Sequence, residues 1–352
     1  MSDVVRAALA AIVDGRSLTV DEARAAMGSV MDGEATPAQL AALLVALRMR
    51  GESVDELTGF AGAMRERVVR VEAPTGTIDL VGTGGDGSGT FNISTAAALV
   101  VAAAGVPVAK HGNRAITSRS GSADVLDALG VRIDHDAASA GASLREIGFA
   151  FLFAPSFHPA MRHAGPTRRE IGVRTSFNLL GPMTNPAAAT RQVFGVGDAT
   201  VAPRLAEVAR RLGTERTLLV HGDGVDELPL DGSGVVLDVT PGGIDRRTID
   251  AAVLAGLGLA VSDNVALAGG SPEENARLVE AILNGSDGPP REVVLLNAAA
   301  ALVAAGRVED LAGGLAAGAE AISAGRASDL LGRLRAERTK ADAARAAAEA
   351  PA

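Results

Sequence analysis

The stretch DLVGTGGDGSGTFNIST, Asp79 to Thr95, decides how the rest of the chain is read. It opens on a short apolar run, passes through five glycines, and closes on Asn92, Ser94 and Thr95 at the head of an alanine-rich segment. Glycines let backbone N–H groups converge on an anion, and a helix N-terminus adds its positive end. Asn92, Ser94 and Thr95 can cap that helix or donate contacts of their own. The loop also satisfies G-x-G-x-x-G at Gly82, Gly84 and Gly87. A dinucleotide site wants an acid roughly 20 residues on for the ribose. After Asp86 the next acid is Asp124, and the intervening apolar run ends in Lys110-His111. The Gly-Lys-Ser/Thr of a P-loop and the H-R-D and D-F-G triplets of a kinase are also missing. A phosphate-binding loop remains, set against an ordinary glycine turn before a capped helix.

Outward from this loop, short apolar runs alternate with helical patterns. TIDLVG, VPVAKHG, VRID, FAFLFAP, RQVFGVG, RTLLVHGD, GVVLDV and REVVLLN read as strands. STAAALVVAAAG, SGSADVLDALG, SAGASLREIG, APRLAEVARRLG and EENARLVEAIL read as helices. That alternation predicts an α/β sheet with right-handed crossovers. Residues 1 to about 72 differ. They carry apolar positions at helical spacing throughout, with Thr19 before an acid-rich first turn, and predict a small helical domain. The polar segment at about 159–190 is assigned to the same domain, and 73–158 with 191–335 to the α/β domain. The Ala-, Arg- and Glu-rich residues 336–352 are expected to be a fraying helical tail.

Composition narrows the function. The chain has 352 residues, 47% hydrophobic and 21% charged, enough for a substantial core. A net charge of −9 argues against nucleic acid as the main partner. The absence of cysteine removes disulfides, thiolate metal sites and cysteine nucleophiles. The longest apolar run, Ala96 to Ala109, is too short for a membrane span, and the N-terminus lacks a signal-peptide pattern. A cytoplasmic location is expected.

Only two of the 33 basic residues are lysine, Lys110 and Lys340. Lys110 stands beside His111, Asn113 and Arg114, where a compact ammonium suits a phosphate as a point charge. Ser120 and Ser122 then open a second helix, a second anion-suited start at a strand end. Asp226-Glu227 are adjacent acids after a strand, suited to Mg²⁺ but equally at home in a surface turn. Arg168 could hold a carboxylate bidentately, in competition with Arg162, Arg169 and Arg174.

Six motifs in order resemble the anthranilate phosphoribosyltransferase family: G-T-G-G-D (82–86), N-x-S-T-A (92–96), K-H-G-N-R (110–114), S-G-S-A-D-V-L (120–126), F-N-L-L-G-P-x-T-N-P (177–186) and D-E-L (226–228). The resemblance covers about residues 5 to 335. It implies a nucleoside phosphorylase/phosphoribosyltransferase class II fold and a homodimer formed through the helical domain. It also implies transfer of the phosphoribosyl group from phosphoribosyl pyrophosphate to the amino group of anthranilate, with two Mg²⁺ per subunit. On that resemblance Gly82, Thr83, Gly84, Gly85, Asp86, Thr90, Asn92, Ser94, Thr95, Lys110 and Ser122 are the donor site. Gly82, His111, Asn113, Arg168 and Gly181 are the acceptor site; Ser94, Asp226 and Glu227 take the metal; and Lys110, Arg168 and Asn113 act in catalysis. The family usually has lysine where this chain has Arg119, outside the core motifs.

Overall fold

A computed structural model describes residues 1–84, 87–115 and 119–349. The chain begins with α1 (Asp3–Val13), α2 (Val20–Met31), α3 (Pro37–Arg50) and α4 (Val54–Glu66). Three of these starts are fixed by capping boxes, Thr19 with Glu22, Thr36 with Gln39 and Ser53 with Glu56. Their apolar faces close on Met27, Leu43, Leu44, Leu47, Leu57 and Phe60, all fully buried. α2 and α4 touch at Gly59, where an added Cβ would strike the Val20 carbonyl.

The α/β part follows as β1 (Ile78–Gly82), α5 (Ile93–Ala103), β2 (Val108–Gly112), α6 (Ser122–Ala128), α7 (Ala137–Glu146) and β3 (Phe149–Phe153). The chain then runs through short helices α8 (Ala154–Phe157), which stays against β3, and α9 (Gly165–Ile171) and α10 (Ser176–Leu180), which pack against α3 and α4. It returns as β4 (Arg191–Gly195), α11 (Ala202–Arg211), β5 (Arg216–His221), β6 (Gly234–Thr240) and β7 (Gly243–Ile249). Helices α12 (Ala251–Gly256), α13 (Pro272–Leu283), α14 (Pro289–Ala304), α15 (Leu311–Ser323) and α16 (Arg326–Glu349) complete it.

The strands form one seven-stranded sheet in the order β3-β2-β1-β4-β5-β6-β7. β3 through β5 in that order are parallel, and β6 and β7 are antiparallel additions. The order reverses between β1 and β4, so the glycine loop leaves β1 at the switch point, where open α/β sheets place ligands. Alternate strand residues face opposite cores. Val193 and Leu218 pack with α5 and α14, while Phe194 and Leu219 pack toward the helical layer.

Two sequence expectations fail. REVVLLN is not a strand; it lies inside α14, buried on nearly every side from Val293 to Ala304. A short, wholly apolar run has no periodicity to separate a buried helix from a buried strand. VRID is not a strand either, although Val131 is buried. β3 is the sheet edge, so no neighbour is present for it, and the Val131 carbonyl accepts from Arg338 Nη1 at 3.3 Å instead. β7 carries an exposed, polar edge pattern and was not visible as a strand.

The expected helical tail is present beyond residue 335, and it is anchored rather than frayed up to Glu349. α16 continues to Glu349, with Arg338 Nη1 donating to Asp127 Oδ1 at 2.8 Å and Arg345 paired with Asp134. No described helix is long and apolar enough to cross a membrane.

Candidate active site

Two strand ends and one acidic turn meet at the carboxyl edge. β1 ends at Gly82 and runs into Thr83 and Gly84; β4 ends beside it at Gly195. The Asp226 side chain crosses to this edge, and its Oδ2 accepts from Gly84 N at 3.0 Å. Both strand-end glycines make room for it. A Cβ on Gly82 would collide with the Asp226 carboxylate, and one on Gly195 with its backbone carbonyl. Thr83 is buried; its N–H donates to Gly195 O at 2.9 Å and its hydroxyl accepts from Gly197 N at 3.3 Å. Gly85 and Asp86 lie outside the described residues.

The second half of the loop is strapped by a segment the sequence did not single out. Thr90 bridges Ala268, Gly269 N donates to Gly89 O at 2.8 Å, and Phe91 N donates to Leu267 O at 2.9 Å. Asn92 opens α5 without capping it. Its side chain instead donates to Ser120 O at 3.1 Å and accepts from Asn275 Nδ2 at 3.0 Å. That amide therefore joins the glycine loop to the serine-rich loop and to α13. Thr95 is fully buried, with no hydrogen-bond partner for Oγ1 among the described residues.

Lys110 projects from β2 into the interior rather than standing on the surface. Its Nζ donates to Leu80 O at 2.6 Å and to Ser94 Oγ at 3.4 Å. Burial pushes the ammonium down from its ordinary pKa, while Asp79, Glu227 and Asp226 oppose the change. Burial also drives the Asp79 carboxyl up to about 6, against donors from Asn185 and the His111 amide and the charge of Lys110. Asn185 Nδ2 donates to Asp79 Oδ2 at 2.7 Å and to Ala109 O at 2.8 Å, which locks β1 against β2. The sequence reading missed both Asp79 and Asn185. An acid inside an apolar strand run was the available signal.

Glu227 is buried beside Asp226. The next residue, Leu228, is clamped by Asn297 of α14, which accepts from Leu228 N at 3.0 Å and donates to its carbonyl at 2.9 Å. Reading this part of α14 as a strand hid that clamp.

On the acceptor side, the His111 ring meets the Gly181 backbone and lies 3.1 Å, Nε2 to Nε2, from His158, a residue not anticipated. Burial holds His111 down to about 3 and His158 to about 4, so both rings are neutral at pH 7 and one donates to the other. Asn113 is exposed and its carbonyl accepts from Ser122 Oγ at 3.3 Å and Ala123 N at 3.2 Å. Arg168 is part-buried with its guanidinium 4.8 Å from the centre of the Phe177 ring. Arg162 and Arg169 are exposed, but Arg174 reaches the glycine loop, donating to Thr83 O at 3.4 Å. The geometry thus gathers Gly82, Gly84 and Asp226 at one point and Lys110 and Ser94 at a second. Asn92 meets Ser120, Asn113 meets Ser122, and His111 meets Gly181. Arg168 stands apart, over Phe177.

A glycosyl transferase family model for the α/β domain matches residues 75–328, and the model for that family's helical bundle domain matches 6–68. A Chloroflexus aurantiacus anthranilate phosphoribosyltransferase is 52% identical over 89% of this chain and 92% of its own length. The chain belongs to the anthranilate phosphoribosyltransferase family. Another member of the family, from Xanthobacter autotrophicus, is 49% identical over 87% of this chain and 89% of its own length. The crystal structure of the Thermus thermophilus anthranilate phosphoribosyltransferase superposes with a TM-score of 0.88 at 45% identity, covering 96% of this chain and 100% of that one. The Saccharomyces cerevisiae anthranilate phosphoribosyltransferase in complex with phosphoribosyl pyrophosphate and Mg superposes with a TM-score of 0.87 at 25% identity, covering 97% and 99%.

Proposed function

We infer that this chain transfers the 5-phosphoribosyl group from phosphoribosyl pyrophosphate to the amino nitrogen of anthranilate, releasing pyrophosphate, in tryptophan biosynthesis. The observation that carries the reading is the meeting of Asp226 with the glycine loop at the switch point of the sheet, beside buried Lys110. In the reaction a C–N bond forms at ribose C1 as the C1–O bond to pyrophosphate breaks. The arylamine proton leaves to solvent or to the departing pyrophosphate. An arylamine is weakly basic and needs no strong general base before attack, so the demands fall on the leaving group and on orientation.

The glycine loop at Gly82, Thr83 and Gly84 and the N-terminal dipoles at the start of α5 form the donor cradle, joined by Gly85, Asp86, Thr90, Asn92, Ser94, Thr95 and Ser122. Such dipoles hold phosphates without reorganising during the reaction. Lys110 places a cation between the acid pair and Ser94 and offsets the acids' mutual repulsion in the interior. Arg168, its guanidinium oriented by the Phe177 face, holds the acceptor carboxylate, with Asn113, His111 and Gly181 flanking the ring.

The residues fit Mg²⁺. Asp226, Glu227 and Ser94 supply hard oxygens, and Gly82 and Gly195 leave the room that Asp226 needs to reach this edge. Mg²⁺ usually keeps several waters and takes substrate phosphate oxygens beside one or two protein carboxylates. Bound there, two ions per subunit would neutralise charge on the pyrophosphate. The working unit is a cytoplasmic homodimer joined through the helical domain, with the α/β domain formed by 73–158 and 191–335.

The test is loss of anthranilate fluorescence on adding phosphoribosyl pyrophosphate, with and without Mg²⁺. The chain lacks Trp and Tyr, which keeps the protein background low. Donor-dependent loss supports the reading. Folded protein with no loss rejects the acceptor assignment, beginning with Arg168 and Asn113.

A further inference from the structure

A recess of about 120 Å³ lies between α4, the turn before β4 and the turn before β5. Arg65, Arg70, Asn185, Thr190 and Thr214 are among its lining residues. It opens on the opposite edge of the sheet from the glycine loop, although Pro182 of its lining directly follows Gly181. Ala188 to Thr190 precede β4 and Gly213 and Thr214 precede β5, so the recess opens at the amino end of the sheet. Strands of this length separate the two edges by roughly 15 Å.

Its charge is one-sided. Arg65 Nε donates to Met183 O at 2.7 Å and Nη1 to Leu212 O at 3.0 Å, so its neutral partners are backbone carbonyls from both sides of the recess. Arg70 Nη2 donates to the Arg65 carbonyl at 3.0 Å. Among the described residues neither guanidinium pairs with a carboxylate. The charged neighbour that acts on Arg65 is Arg70, a second cation. Burial first, and Arg70 second, bring Arg65 down to about 10. The carboxylate beside the rim, Glu215, is already taken by Thr190 Oγ1 at 2.9 Å and Arg191 Nε at 3.0 Å. A part-buried guanidinium facing a like charge is costly unless an anion completes the set. The rim also holds Ala188 at φ 51, a left-handed conformation that is strained for a non-glycine residue. That turn is fixed by Asn185, whose Oδ1 accepts from Ala187 N at 2.8 Å.

We propose that this recess binds a small oxyanion of the phosphate class between Arg65 and Arg70, tying the end of α4 to the Met183 and Leu212 turns. The N–H donors that the two guanidiniums do not spend on the Met183, Leu212 and Arg65 carbonyls suit a dianion, and the hydroxyls of Thr190 and Thr214 give the lining further polar character. The site is separate from the donor cradle, and the proposal stands whether or not the reaction above is correct.

The experiment is thermal unfolding of the whole chain in inorganic phosphate against sodium chloride of equal ionic strength, with calorimetric titration of phosphate. Arg65 anchors two carbonyls, and its removal risks misfolding, so the variants are Arg70→Gln and Arg70→Lys at an exposed position. Phosphate-specific stabilisation of the wild type is expected, with binding weakened at least tenfold in Arg70→Gln and partly restored in Arg70→Lys. Equal stabilisation by chloride, or phosphate binding unchanged in Arg70→Gln, overturns the proposal. The second result would place the bound phosphate elsewhere, at the donor cradle.

Discussion

The helical layer and the carboxyl edge of the sheet are held together by contacts of opposite reach. In the helical layer the polar contacts that fix helix starts span three residues, as in Glu22 N to Thr19 Oγ1 and Glu56 N to Ser53 Oγ. At the edge they span 142 residues from Gly84 to Asp226 and 183 from Asn92 to Asn275. The first kind stabilises an element that is already formed. The second exists only once the whole sheet is assembled, and it leaves charged groups such as Lys110 and Asp79 inside the protein. The helical layer should therefore tolerate loss of a single polar group, and the carboxyl edge should not.

The largest effect is expected from Lys110→Met. It strips a buried cation from Asp79, Asp226 and Glu227, and breaking a buried charge set by removing one partner costs about 3–5 kcal/mol. Denaturant unfolding should show that loss together with loss of turnover. A stable Lys110→Met protein would remove the distinction between the two regions. Gly195→Ala comes next. Its new Cβ meets the Asp226 backbone, so overpacking of about 1–3 kcal/mol is expected. Displacing Asp226 should also lower the rate on the order of 10²-fold. Kinetics and unfolding on the same preparation would separate the two.

The His111–His158 pair gives a pH test. Both folded pKa values, about 3 and about 4, lie below the unfolded value, so the unfolded chain binds more protons. The pair's contribution is present above about pH 6.5 and is lost as pH falls toward 3. Asp79 works the other way, since its raised folded value of about 6 favours the folded state below that pH. His158→Asn should flatten the acid limb of a stability–pH curve. An unchanged limb would mean the rings are not held neutral by burial.

The smallest effect belongs to the helical layer. Thr19→Ala removes one half of a capping box and should cost about 1 kcal/mol with turnover unaltered.

The same contrast explains what could be read from the sequence. The helices of the N-terminal layer follow from spacing and cap residues, which are local. The glycine loop and Lys110 near it were legible because a glycine-rich loop after a strand, followed by a near-unique lysine at the next strand end, narrows the alternatives. The partners were not. Nothing adjacent to Asp79 announces Asn185, and nothing near Leu228 announces Asn297. α14 was misread because full burial erases the periodicity that marks a helix. Arg168 was assigned to the acceptor carboxylate on the resemblance; Arg174, which competed with it, reaches the glycine loop at Thr83 O, a contact the sequence did not point to.

The central claim is that Asp226 and Glu227 complete the donor site at the carboxyl edge. Its most direct test is donor-dependent consumption of anthranilate across a Mg²⁺ titration, for the wild type and for Asp226→Asn with Glu227→Gln. The account predicts Mg²⁺-dependent turnover in the wild type and a loss on the order of 10²–10³ in the variant, with more Mg²⁺ needed for what remains. A variant with full activity and the wild-type Mg²⁺ dependence would contradict it.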